Sequence, residues 1–305
     1  MTSAALSPAP LGRVLTAMVT AFDDDGAVDL DATARVAAHL VDHGCDGVVV
    51  SGTTGESPTT TVSEDANILR AVVETVGDRA NVVAGVGTNS TAHSVELAEQ
   101  AAKIGADGVL VVTPYYNKPT QEGVLAHFRE VASVSDLPVM LYDIPGRTGI
   151  PITPDTYRRI AETPHVVAVK DAVGDIPRGV QIMADTGLVY YSGDDALNLA
   201  WLTHGGAGVV SVVAHAASRD YAGMVSAVER GDLVVALETY RRLAPLVDLM
   251  MTRVQGAMTA KAVMQLLGVL DNRAMRLPLV AAPDDVVDDL RRLMTDLDLL
   301  EGTTS

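Results

Sequence analysis

Cysteine is almost missing from this chain. Its one copy, Cys45, excludes an internal disulfide and a cysteine metal cluster, and it fits a reducing compartment. Cys45 stands between Gly44 and Asp46 just ahead of a strand-like run, where a small buried residue is expected rather than a nucleophile. Aromatic side chains are also scarce, at 4% of 305 residues, so the core must be built from Ala, Val, Leu and Ile. Basic residues are outnumbered, 22 against 39 acidic. The resulting charge of −17 argues against nucleic-acid or anionic-membrane partners. It leaves room for a local positive pocket that takes an acidic substrate. No apolar run approaches the roughly 18 to 20 residues of a membrane span. Residues 1–10 have neither the basic start nor the apolar stretch of a signal peptide. These absences predict a soluble, cytoplasmic protein in which residues 1–11 are a disordered lead-in.

What is present is a regular beat. Strand-like runs at 14–20, 47–50, 82–85, 108–113, 138–142, 166–170, 188–192 and 208–213 alternate with helix-like windows. Continuous apolar strands alternating with helices imply a parallel sheet covered on its outside, and eight such units imply a closed (β/α)8 barrel. An open doubly wound sheet is the alternative, but no Gly-x-Gly-x-x-Gly turn follows the first strand. Beyond residue 230 the strands stop, and 232–248, 256–268 and 283–298 read as three further helices. The expected division is a barrel over 12–230 and a C-terminal helical extension over 231–305.

Lysine is the next scarcity. Of the four copies, Lys103, Lys118 and Lys261 lie in polar or helix-like sequence, where solvated ammonium groups are expected. Lys170 instead ends Val166-Val-Ala-Val-Lys170, a run that reads as a buried strand. A lysine there either pairs with a carboxylate, for which Asp171 is at hand, or lowers its pKa and becomes a usable amine.

The other strand ends weigh on that choice, because barrel chemistry lies at the C-terminal ends of strands. Strand two runs into Ser51-Gly-Thr-Thr-Gly-Glu56, strand four into Thr113-Pro-Tyr-Tyr-Asn117, and strand seven into Ser192-Gly-Asp-Asp195. Strand five ends in Tyr142 and continues Asp143-Ile-Pro-Gly-Arg-Thr-Gly149. A lysine, several hydroxyls and an arginine therefore converge on one rim. A desolvated amine forms an imine with a ketone and yields an enamine nucleophile, and hydroxyls can relay the protons. The turn at 52–55 offers donors for an α-keto acid's carboxylate, and Arg147 can clamp a second carboxylate. The implied reaction makes or breaks a carbon–carbon bond with a pyruvate-like donor. Neither the seven histidines nor Asp23-Asp-Asp25 show metal-ligand spacing, and Asp194-Asp195 reads as the cap of the next helix.

The motifs Gly52-Thr-Thr-Gly-Glu-Ser57, Thr113-Pro-Tyr-Tyr-Asn-Lys-Pro119, Tyr142-Asp-Ile-Pro-Gly-Arg-Thr-Gly149, Val169-Lys-Asp171 and Ser192-Gly-Asp-Asp195 together resemble the dihydrodipicolinate synthase family over about residues 12 to 298. This family belongs to the pyruvate-dependent class I aldolases. The resemblance implies condensation of pyruvate with aspartate semialdehyde, the committed step towards diaminopimelate and lysine. It makes Lys170 the Schiff-base lysine and Tyr142 the proton relay. Thr53 and Tyr116 complete the hydroxyl chain, with Tyr116 supplied across a tight-dimer interface. Thr54 holds the pyruvate carboxylate, Arg147 guides the semialdehyde, and Gly193 and the Val210 backbone line the site. A homotetramer, a dimer of dimers, is implied, and no cofactor or metal, because the imine is the electron sink. Related aldolases and N-acetylneuraminate lyase share the lysine and tyrosine but usually lack the arginine. A different aldehyde acceptor, or a non-catalytic binding paralogue, are the alternatives. Two departures stand out. Ala21 replaces a usual proline. In the lysine-feedback site, residues 58–65 carry no histidine, and His93 stands where an acid is usual. Lysine inhibition is therefore expected to be weak or absent.

Overall fold

The computed structural model describes residues 7–300. Eight parallel strands pair in chain order, and the last pairs back to the first to close a barrel. They are β1 (Val14–Ala17), β2 (Gly47–Val50), β3 (Asn81–Gly85), β4 (Gly108–Val112), β5 (Val139–Asp143), β6 (Val166–Asp171), β7 (Val189–Ser192) and β8 (Gly208–Ser211). The strands are apolar almost throughout because both faces are buried. One row, including Leu15, Val49, Leu110, Met140 and Tyr191, fills the barrel interior. The other row, including Val48, Val82, Val111 and Leu141, meets the surrounding helices. Polar side chains in the loops start those helices: Asp29, Thr61, Ser90, Thr120, Thr153 and Asp175 each accept a first-turn N–H. These caps fix how much loop remains at the rim.

Part of the expected lead-in, residues 1–6, lies outside the described residues. Residues 7–11 are not loose. Leu11 is fully buried in the barrel interior, and a Cβ on Gly108 would stand 2.7 Å from Leu11 Cδ2. Ser7 Oγ donates to Gly205 O at 2.7 Å. The cause is hydrophobic, since burying one leucine contributes about 1.5 to 3 kcal/mol and the lower end of the barrel offers an apolar seat.

The helix Ala214–Glu229 completes the eighth crossover, and Leu233–Thr252, Gly256–Leu266 and Asp284–Asp296 are the three further helices. They share the barrel's outer core through Leu243, Leu246, Val263 and Leu290. Here the expectation for Lys261 is overturned. Its side chain is 1% exposed and pairs with Glu56 at 2.6 Å. Residues 256–264 of its helix are all buried, which leaves that stretch no face for solvent. Burial lowers the amine to about 8 while Glu56 opposes the shift. Among the described residues no helix is long and apolar enough to cross a membrane.

Candidate active site

Register builds the centre of the site. β5 and β6 pair Tyr142 with Lys170 and Asp143 with Asp171. Side chains alternate along a strand, so Tyr142 and Lys170 face the interior while the two aspartates face the helices. Lys170 Nζ lies 4.2 Å from the centroid of the Tyr142 ring. The alternative for Lys170, an ion pair with Asp171, is not formed. The Asp171 carboxylate instead accepts the Gly174 N–H at 3.1 Å, and Asp143 accepts the Tyr157 hydroxyl at 3.0 Å. Burial raises both of these outward carboxyls to about 6.

Lys170 is 5% exposed. Burial lowers its amine to about 8, Asp195 favours the ammonium, and Arg147 disfavours it. Burial raises the Tyr142 phenol to about 12, with Arg147 opposing and Asp194 adding. The stem of Lys170 is held by the turn after β7. Gly193 N donates to Asp171 O at 2.7 Å, and a Cβ on Gly193 would stand 2.8 Å from Lys170 Cγ. Only glycine leaves room for the lysine there.

Above these residues opens a cavity of about 1000 Å³. Thr53, Thr54, Tyr142, Arg147, Lys170 and Gly193, six of the eight site residues expected from the sequence, line it together. This chain's own Tyr116 lines it too, whereas the resemblance implies a Tyr116 from a partner subunit. Val210 does not join them. It belongs to the interior layer below, and Val212, two residues further on the same face, lines the cavity. Thr54 is buried, and Arg147 stands exposed on the short turn Pro145–Thr148. Tyr116 is 88% exposed and left-handed, φ 73°, beside Lys118 at φ 44°. The charged residues lining the cavity are Lys118, Arg147 and Lys170, all cations, in a chain of net charge −17.

Asp195 differs from the cap expected of it. Asp194 does the capping, accepting the Ala196 N–H at 3.0 Å. Asp195 is buried and accepts from Ser211 Oγ, Asn198 Nδ2, Val212 N and Val213 N, which ties the end of β7 to the end of β8. Three of these four partners lie at the end of β8 or just after it, so little in the local sequence announces the role. Met251, Gln255, Gly256 and Ala257 of the C-terminal helices also line the cavity, a contribution the sequence reading did not include.

A family model for the dihydrodipicolinate synthetase family matches residues 10–297. A 4-hydroxy-tetrahydrodipicolinate synthase of Kineococcus radiotolerans is 58% identical over 278 residues, which is 91% of this chain and 90% of the relative. The lysine-bound dihydrodipicolinate synthase of Cyanidioschyzon merolae has a TM-score of 0.92 and 40% identity, covering 96% of this chain and 100% of that one. A chloride-inhibited dihydrodipicolinate synthase of Acinetobacter baumannii in complex with pyruvate has a TM-score of 0.89 and 32% identity. That match covers 95% of this chain and 99% of the other.

Proposed function

The chain belongs to the dihydrodipicolinate synthetase family, and from that premise we propose how its rim residues condense pyruvate with L-aspartate 4-semialdehyde to 4-hydroxy-tetrahydrodipicolinate. The observation that carries the reading is Lys170, a buried amine lowered to about 8 beside Tyr142, under a cavity whose charged lining is cationic.

In this reading the neutral Lys170 amine adds to the ketone carbon of pyruvate, and loss of water gives the imine. The cationic nitrogen acidifies the methyl group, which loses a proton to become an enamine. The enamine carbon attacks the aldehyde of the second substrate. That substrate's own amine then adds to the imine carbon and releases Lys170 as the ring closes. Tyr142, with Thr53 and Tyr116, carries protons to and from these oxygens and nitrogens. A phenol raised to about 12 stays protonated at neutral pH and so begins as a donor. The Thr53–Thr54 turn receives the pyruvate carboxylate, and Arg147 receives that of the semialdehyde, where a guanidinium offers two parallel N–H groups. Gly193 and Val212, just past the β8 end, close the floor.

The same proposal places the enzyme in the cytoplasm as a homotetramer. A tyrosine 88% exposed in a left-handed conformation is a side chain that a partner subunit would cover, so Tyr116 is assigned to the tight-dimer interface. The division into a barrel over 12–230 and an extension over 231–305 is part of it as well.

The test is pyruvate consumption with aspartate semialdehyde set beside a panel of other aldehydes. Strong preference for the semialdehyde, lost in Arg147→Ala with pyruvate binding intact, is the expected result. Equal use of aldehydes without a carboxylate would remove Arg147 from its assigned role.

A further inference from the structure

The turn assigned to the pyruvate carboxylate is held from behind by the second buried lysine. Glu56 ends that turn: its N–H donates to Thr53 O at 3.2 Å, and its backbone is left-handed at φ 59°. That conformation is unfavourable for a residue with a side chain, so the surroundings must over-determine it. They do so from the C-terminal extension, Lys261 on a helix and Arg276 in the segment after it. Glu56 Oε1 lies 2.6 Å from Lys261 Nζ, and Oε2 accepts the Arg276 N–H at 3.0 Å. Lys261 also donates to Ala274 O at 2.6 Å and lies 4.1 Å from the centroid of the Phe22 ring. Its helix begins with Gly256 and Ala257, which form another wall of the same cavity.

A buried ion pair of this kind gives no more net stability than apolar side chains of similar volume, and often less. What it adds is a fixed distance and direction between two elements far apart in the chain. Resting on the pyruvate-site reading above, we infer that Glu56 and Lys261 are positioning residues whose ion pair sets the Thr53–Thr54 turn at the height of the substrate carboxylate and docks the C-terminal helix beside it. Neither residue touches substrate; both act through the two threonines.

The experiment measures borohydride trapping of pyruvate on Lys170 against pyruvate concentration, together with steady-state kinetics. Glu56→Gln should raise half-saturating pyruvate by about tenfold or more, with semialdehyde KM and kcat at saturation within about threefold of wild type. Lys261→Met leaves a carboxylate buried without its partner and should lower the thermal midpoint. The double variant E56Q/K261M places neutral groups of similar size in the gap and should recover the midpoint. Half-saturating pyruvate should stay raised in that recovered protein. Recovery of pyruvate binding together with stability would show a merely structural pair and overturn the inference, as would an unchanged half-saturation in Glu56→Gln. Wild-type protein that traps no pyruvate on Lys170 would instead overturn the reading of the site itself.

Discussion

Tyr142 and Lys170 stand side by side on adjacent strands, in register, with the lysine nitrogen 4.2 Å from the centre of the phenol ring. The ring face supports the amine, and in the proposed mechanism the hydroxyl serves the proton transfers, so one substitution separates the two. Tyr142→Phe keeps the ring and should leave the thermal midpoint nearly unchanged. Its kcat should fall by roughly 10²- to 10⁴-fold, the usual contribution of a positioned acid–base group. A kcat within about threefold of wild type would remove Tyr142 from the relay.

The pH dependence follows from the amine. Only the neutral form attacks the ketone, and a group with a pKa of about 8 is roughly one-tenth neutral at pH 7. The rate of pyruvate imine formation should therefore climb with pH from neutrality and level off above about pH 9. Asp195 favours the ammonium, so Asp195→Asn should move the curve towards lower pH. Rapid quench with borohydride across the range checks both, and a rate that still climbs steeply past about pH 9.5 would contradict the lowered amine.

Gly193→Ala is predicted to damage the site at its nucleophile. The new methyl would stand 2.8 Å from Lys170 Cγ and 2.9 Å from Asp171 O, and backbone cannot yield cheaply. Overpacking of this kind costs roughly 1 to 3 kcal/mol of stability. The imine yield at fixed pyruvate should drop along with the denaturant midpoint. Full activity with an unchanged midpoint would show that the turn after β7 gives way freely.

Lysine should bind poorly. Where the family resemblance implies an acid, the exposed His93 stands in the first turn of the helix Thr91–Ile104, and the stretch 58–65 contains no histidine. A cationic amino acid finds no complementary carboxylate at position 93. Isothermal titration should give no saturable heat at millimolar lysine, and the synthesis rate should hold under the same conditions. Tight binding would mean that other groups hold the ligand.

The barrel and most of its rim were legible because their signals are local. Apolar runs of four to six residues announce the strands, and a lysine or tyrosine closing such a run announces a polar group at the mouth of a barrel. What escaped depends on partners distant in the chain. Lys261 looks like any helical lysine until Glu56, from the second strand's loop, meets it inside the protein. A readable hint was there, since Gly256-Ala-Met-Thr-Ala-Lys-Ala-Val-Met264 offers lysine no polar side to lie on. Asp195 resembled a helix cap because its true partners, Ser211 and the amides of Val212 and Val213, belong to β8 and the residues after it. Val210 and Val212 share a face, and only the depth of the strand end in the barrel decides which one reaches the cavity. The packing of Leu11 escaped for the same reason, because nothing near it in sequence marks the seat it fills.

Leu11 has a consequence for traffic. With Leu11 and the interior layer above it filling the lower barrel, Lys170 lies at the bottom of a shaft that opens through the cavity. In the proposed mechanism pyruvate reaches Lys170 first, and the aldehyde enters above it. Product must clear the shaft before the next pyruvate descends. On the proposed mechanism the order of events follows from this geometry, and an excess of the aldehyde should obstruct its own reaction by occupying the cavity ahead of pyruvate.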